Sequence, residues 1–241
     1  MSQITASIIL CLIGISGTLL GQRSYPQPYD PEEHRGFVPI FNGENLDGWS
    51  FDSTYWNVQD GIMTGLVTPE TLLKENSFII WEQGMVDDFE LKVTYRVSAN
   101  GNSGINYRSI RVPDKPFALK GYQADIDGQY QWTGQNYEER GRTFLALRGQ
   151  ITRIETDSIP FVIGQIDTAE NLTAALRSDD WNQYHLIVRG NVMTHLINGQ
   201  LMSVVIDDDV KNRKSEGLIG VQVHVGPPMR IEYRDILLKK I

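Results

Sequence analysis

The chain has 241 residues, a formal net charge of −8 at pH 7 and one cysteine, Cys11. An acidic chain without a cluster of Lys and Arg suits neither nucleic acid nor anionic lipid; a neutral ligand, or a cation held by carboxylates, fits better. Because Cys11 sits in the apolar N-terminal stretch, the rest of the chain has no thiol nucleophile, cysteine metal site or disulfide.

In chain order, residues 1–21 carry no charge, are apolar over 4–20 and place the small residues Ser16, Gly17 and Gly21 near the end. They read as a secretory signal peptide cleaved near Gly21-Gln22, which makes the mature protein secreted, periplasmic or surface-bound; an uncleaved anchor is the alternative. Cys11 follows Ile8-Ile9-Leu10 and lacks the small residue that a lipid-anchor site wants before its cysteine. Residues 22–36, with Pro26, Pro28 and Pro31, read as an extended linker. Residues 37–241 contain no repeat and no second linker, and read as one domain.

That domain is predicted to be all-β. Short strands are expected over 37–41, 55–58, 62–64, 78–81, 89–97 and 105–110, then 144–148, 161–166, 184–189, 193–197, 201–206, 218–225 and 230–238. Asp60-Gly61, Gly190-Asn191 and Asn198-Gly199 supply tight turns between them. One short helix is expected over 168–176, capped by Asp167 or Thr168. Trp49 and Trp56, in turn and hairpin motifs, are assigned to core packing. Asp207-Asp208-Asp209 reads as a solvated loop, with a calcium site as the alternative. The pattern of many short strands, hairpin turns and little helix predicts an antiparallel β-sandwich.

The stretch 121–142 carries most of the functional signal. In a strand, Tyr122, Ala124 and Ile126 would enter the core while Gln123, Asp125 and Asp127 form a polar row on the opposite face. A loop containing Trp132, Tyr137, Glu138, Glu139, Arg140 and Arg142 is expected to follow. A row of carboxylates beside aromatic and charged groups suits a sugar cleft, and a solvated strand face with a hairpin loop accounts for the same pattern.

A resemblance runs through Phe41-Asn42-Gly43, Leu46-Asp47-Gly48-Trp49 and Trp56-Asn57-Val58-Gln59-Asp60-Gly61. It continues in Ser103-Gly104-Ile105-Asn106-Tyr107-Arg108, Gly121-Tyr122-Gln123-Ala124-Asp125-Ile126, Trp181-Asn182 and Asn198-Gly199. Ile219-Gly220-Val221-Gln222-Val223-His224 and Tyr233-Arg234-Asp235-Ile236 complete it. In their order and spacing these motifs resemble the 3-keto-disaccharide hydrolase domain family, over nearly all of 37–241. The chain departs from many members in having Tyr122-Gln123 where they have Tyr-Glu, and its segment 149–180 is longer, which suggests that it shapes one side of the cleft. The resemblance implies a concanavalin A-like jelly roll that cleaves sugars already oxidised to a ketone at C3. It also implies a functional link to a sugar 3-oxidoreductase.

The ketone acidifies the C2 hydrogen, so a base can remove it and the glycosidic oxygen can then leave C1 by β-elimination. Such a site needs a base, an acid and positive charge near the enolate. Asp125, Asp127, Glu139 and His224 are the titratable candidates, with Arg108 as oxyanion partner. Asn106, Gln123, Asp127, Arg142 and Gln222 are candidates for holding hydroxyl groups, and Trp132 and Tyr137 for stacking on a ring. Arg108 could instead form only a cross-strand ion pair, and His224 could be an ordinary histidine on a wet face. No cofactor is required, although Asp125, Asp127 and His224 are ligand types that a divalent metal accepts. Carbohydrate is the expected partner, and nucleic acid is not. Two other readings stay open, a lectin-like binding module and a two-carboxylate glycosidase. Against the latter, the chain lacks the Glu-x-Asp-x-x-Glu strand motif.

Overall fold

The computed structural model describes residue 30 and residues 32–241, so the expected signal peptide and most of the linker lie outside the described residues. Seventeen strands and one short helix form two packed sheets. The larger sheet runs β12 (Phe161–Gln165), β11 (Gln150–Ile154), β15 (Gln200–Asp207), β14 (Val192–Ile197), β13 (Asn182–Arg189), β6 (Phe89–Val97), β17 (Met229–Lys240), β4 (Ile62–Val67), β3 (Trp56–Gln59). There β1 (Val38–Pro39) also pairs with β17. The smaller sheet runs β10 (Thr143–Ala146), β9 (Asn136–Glu139), β8 (Lys115–Asp127), β7 (Asn102–Val112), β16 (Leu218–Val223), β5 (Ser77–Trp81), β2 (Trp49–Ser50). Pairing is antiparallel except between β11 and β15. The fold is the antiparallel sandwich that the strand pattern predicts.

Alternation along the strands decides which faces meet. Phe89, Leu91, Val93 and Tyr95 of β6 are fully buried, as are Ile105 and Tyr107 of β7, and they join Tyr122, Ala124 and Ile126 of β8 in one core between the sheets. Trp49 and Trp56 belong to that core, and the Trp49 indole N–H donates to the Ile40 carbonyl at 3.0 Å. Asp60-Gly61 and Asn198-Gly199 both take positive φ, as tight hairpin turns between twisted strands require. The helix α1 (Ala169–Thr173) is shorter than expected, and the Thr168 side chain caps it by accepting from the Asn171 N–H.

Some polar groups inside the core are paired with one another, while others, the Tyr95 hydroxyl and the Trp56 indole N–H among them, have no partner among the described residues. His195 is fully buried, with Nε2 2.9 Å from the Tyr107 hydroxyl and Nδ1 3.1 Å from that of Tyr184. Burial pushes its pKa down to about 3, so the ring is neutral and serves as a hydrogen-bonding spacer.

Three strands lie outside the sequence-based assignment: β2, β9 and β11. The run Asn136-Tyr137-Glu138-Glu139 reads as loop because it is polar, yet it pairs with β8 on one side and β10 on the other. Tertiary pairing overrides weak strand propensity here. The Asp207–Asp209 run also needs correction. It is not a solvated loop throughout: Asp207 and Asp209 are 0% and 1% exposed. Arg142 holds both and also pairs with Glu138; its guanidinium lies 2.6 Å from Asp207 Oδ2 and 3.4 Å from Asp209 Oδ2. The Tyr122 hydroxyl donates to Asp207 Oδ2 at 2.6 Å, tying this cluster to β8.

Removing Arg142 takes the guanidinium from three buried carboxylates, of which only Glu138 keeps another cation, Lys214 at 3.7 Å. Arg142→Met is expected to cost about 3–5 kcal/mol in urea unfolding, and a loss below about 1 kcal/mol would show that solvent compensates these charges.

Candidate functional site

The outward residues of β8 open onto a cleft of about 420 Å³ lined by Gln123, Asp125, Trp132, Gln135, Tyr137, Glu139, Arg140, Phe144 and His224, with Asn76 and Asn102 at its edges. That volume is within the range of small-molecule sites. Asp125 forms the floor and is 8% exposed. Gln123 Nε2 donates to its Oδ1 at 2.7 Å and Gln135 Nε2 to its Oδ2 at 2.5 Å. Gln222 Nε2 in turn donates to Gln123 Oε1 at 3.3 Å. Three amides therefore form a directed relay that ends on the carboxylate. Gly104, opposite Asp125 on β7, makes room for it, because a Cβ there would sit 2.6 Å from the Gln123 side chain.

Burial raises the Asp125 pKa from an ordinary 3.8 to about 7; the two glutamine amides pull it down, and the negative charges of Asp127 and Glu139 push it further up. Glu139 is also raised by burial, opposed by Arg140, the Asn76 amide and His224. Its Oε1 lies 3.5 Å from Asn76 Nδ2 and 3.7 Å from Arg140 Nε. His224 follows the end of β16 and is half-buried. Its Nδ1 lies 2.5 Å from the Val225 carbonyl, which can only accept, so Nδ1 carries the proton, and Nε2 has no hydrogen-bond partner among the described residues. Trp132 stacks on Phe144 at 5.6 Å between centroids and Tyr137 meets Phe144 edge-on at 5.3 Å, giving the cleft an aromatic wall. A buried carboxyl titrating near neutrality, a second raised carboxyl, a histidine with a free nitrogen and an arginine can together move protons on a bound polyol.

The model of the 3-keto-α-glucoside-1,2-lyase-like domain matches residues 36–239. The chain belongs to this family. Two proteins of Parabacteroides distasonis ATCC 8503 named provisionally as glycosyl hydrolases are similar in structure. One has a TM-score of 0.57 at 16% identity over 85% of this chain and 99% of its own, the other 0.56 at 16% over 86% and 94%. The β-glucanase of Bacillus licheniformis follows at 0.50 and 12% identity, over 87% of this chain and 100% of its own. At these identities the likeness is one of fold, and that fold is the concanavalin A-like jelly roll. No curated protein matches the sequence.

Of the residues expected from sequence, this family member brings Gln123, Asp125, Trp132, Tyr137, Glu139 and His224 together in one cleft. Arg108 is elsewhere. It sits in a β-bulge at φ 44°, which turns its side chain out of the polar row. There it is buried against Asp88 at 2.9 Å and the carbonyls of Asp87, Gly190 and Lys214. It is a clamp between loops, not the oxyanion partner and not a cross-strand pair with Asp125. Asn106 is fully buried and donates to Ser109, and Gln222 is fully buried and reaches only Gln123. Asp127 gives its carboxylate to the backbone N–H groups of Gln131, Trp132 and Thr133, which shapes the loop carrying Trp132. Arg142 is consumed by its carboxylates. These four support the cleft from behind, and the long segment 149–180 does not line it.

Sequence reasoning missed Asn76, Asn102, Gln135 and Phe144, and named Arg140 only as one of the charged loop residues, without a role. Gln135 becomes visible only through its pairing with β8, since the Asp125 N–H donates to its carbonyl at 3.3 Å. Asn76 has no local signal: its Oδ1 accepts from the Val225 N–H at 3.0 Å, a contact across 149 residues. Among the described residues no three His, Cys, Asp or Glu side chains are grouped to hold a metal, and Asp127, one of the suggested ligands, is already committed to amides.

A carboxyl whose folded pKa lies above its unfolded value adds stability at low pH that is lost as pH rises through the folded value. Raising Asp125 from 3.8 to about 7 corresponds to at most about 4 kcal/mol. Asp125→Asn has no such dependence, so its stability relative to wild type should climb between pH 4 and pH 8, read by urea unfolding at each pH. A difference that stays flat would mean that Asp125 titrates as an exposed carboxyl.

Proposed function

We propose that the protein cleaves 3-keto-glycosides, 3-keto-disaccharides among them, by elimination across C1 and C2. Asp125 removes the C2 proton, and the electron pair left behind forms the enolate with the C3 ketone. The enolate then collapses, the C1–O bond breaks, and the departing oxygen takes a proton from Nε2 of protonated His224. Water adding to the resulting C1–C2 double bond gives the free keto sugar. Arg140 supplies positive charge beside the developing enolate, and the aromatic wall of Trp132, Tyr137 and Phe144 holds the ring.

The observation that carries this reading is the Asp125 carboxyl, buried on the cleft floor and raised to about 7. Brønsted behaviour favours a base with its pKa near the working pH, so a raised carboxyl is a better base for a carbon-bound proton than an ordinary one. The match to a 3-keto-α-glucoside-1,2-lyase-like domain supports the same chemistry. Because the substrate must already carry a ketone, a separate sugar 3-oxidoreductase has to supply it. The uncharged apolar stretch at 1–21 argues that this happens outside the cytoplasm.

The test is product release from a 3-keto-disaccharide and from its unoxidised parent. The expected result is cleavage of the keto sugar only, lost by at least about a thousandfold in Asp125→Asn and reduced about a hundredfold in His224→Ala. For wild type, kcat/KM should rise toward pH 7 as Asp125 ionises and fall again at higher pH, because the acid must keep its proton. Cleavage of the parent sugar would make the protein a two-carboxylate glycosidase, and saturable binding without cleavage of either would make it a lectin-like module.

A further inference from the structure

The cleft has an annexe of mixed lining, in which Ala99, Val225 and Pro227 stand beside amides and Asp127. A second cavity of about 230 Å³ shares Asn102, Trp132 and His224 with it and is lined further out by Asn100, Gln129 and Gln131. The shared residues form the boundary between the two spaces, and one of them is the histidine whose Nε2 has no partner among the described residues. Another cavity meets the cleft at Asn76 and has a different character. It is walled by Tyr55, Leu72, Leu73 and Phe117 under the ion pair of Glu75 with Lys115.

We infer that the annexe is the leaving-group subsite, and that it takes a second sugar ring rather than an apolar aglycone. This rests on the proposed elimination, because that chemistry puts the departing oxygen against the acid. His224 lies on the boundary, so the scissile bond lies there too, with the keto ring over Asp125 on one side and the leaving group on the other. Side-chain amides that offer both a donor and an acceptor match the paired hydroxyls of a sugar. Trp132 presents an aromatic surface at the junction, already held in place by Asp127 through its backbone N–H at 2.8 Å. An aryl or alkyl leaving group makes no hydrogen bonds to those exposed amides, which water then solvates, so the preference for a sugar is the modest one that comes from exchanging water for hydroxyl contacts.

Gln129 and Gln131 are exposed and take no part in the proton transfers, so their side chains can be removed without disturbing the cleft. The experiment compares wild type with Gln129→Ala/Gln131→Ala on a 3-keto-disaccharide and on methyl 3-keto-glucoside. The expected result is a drop of about tenfold in kcat/KM for the disaccharide and no change for the methyl glycoside. An equal loss on both substrates, or no loss on either, would overturn the subsite. So would a disaccharide-specific loss in Phe117→Ala, which would move the leaving group to the apolar cavity. Binding separates this result from the reaction itself. Calorimetric titration of the unoxidised disaccharide into Asp125→Asn should weaken about tenfold when the two glutamines are also removed. Unchanged affinity would overturn the subsite, whether or not the keto sugars are cleaved. If wild type leaves both keto sugars intact while the titration shows the expected weakening, the elimination reading falls and the sugar subsite stands.

Discussion

The two-residue period of β8 is the constraint from which the rest follows. Tyr122, Ala124 and Ile126 must enter the core, and a one-residue slip would turn all three to solvent. Their burial therefore fixes Gln123 and Asp125 on the other face, where Gln135 from the neighbouring loop and Gln222 from β16 close around the carboxyl. Core packing and site chemistry are set by one register, so the apolar residues that hold the sheets together also aim the carboxylate. Tyr122 contributes twice, through its ring in the core and its hydroxyl on Asp207.

An ionisable group kept out of water needs support, and the molecule supplies it with neutral amides rather than with a cation. An arginine against Asp125 would hold it ionised and weak as a base; glutamine donors leave its pKa near 7. The arginines are used for architecture instead. Arg108 and Arg142 bind loops and buried acids, and Arg148 donates to the carbonyls of Tyr130 and Thr133, steadying the loop that carries Trp132. Arg140 is the arginine that lines the cleft, and even it shares its charge with Glu139 and Glu75.

The sandwich was legible from the sequence because its signals are local. Alternation in 89–97 and 121–127 and the Asp-Gly and Asn-Gly turns each report on neighbouring residues, and β6 begins and ends where the alternation does. The cleft was partly legible for the same reason: Gln123, Asp125, Trp132, Tyr137, Glu139 and His224 all lie on or beside recognisable motifs. What stayed hidden depends on long-range geometry. Nothing near Arg108 announces a bulge, since the bulge answers to its pairing with β8 and β16. The burial of Asp207 and Asp209 depends on Arg142, 65 residues from the first of them. β9 is polar because one of its faces serves the cleft, and that removes the apolar alternation by which a strand is recognised.

The central claim is that Asp125 breaks a carbon–hydrogen bond at C2. It is tested most directly by running the reaction in D₂O and measuring deuterium at C2 of the released keto sugar by mass spectrometry and NMR. The free keto sugar's own exchange serves as the blank. Elimination followed by addition of water predicts one deuterium at C2 in every product molecule, well above the blank. Product with C2 still fully protonated would contradict the account, because the glycosidic bond would then have broken without Asp125 touching carbon.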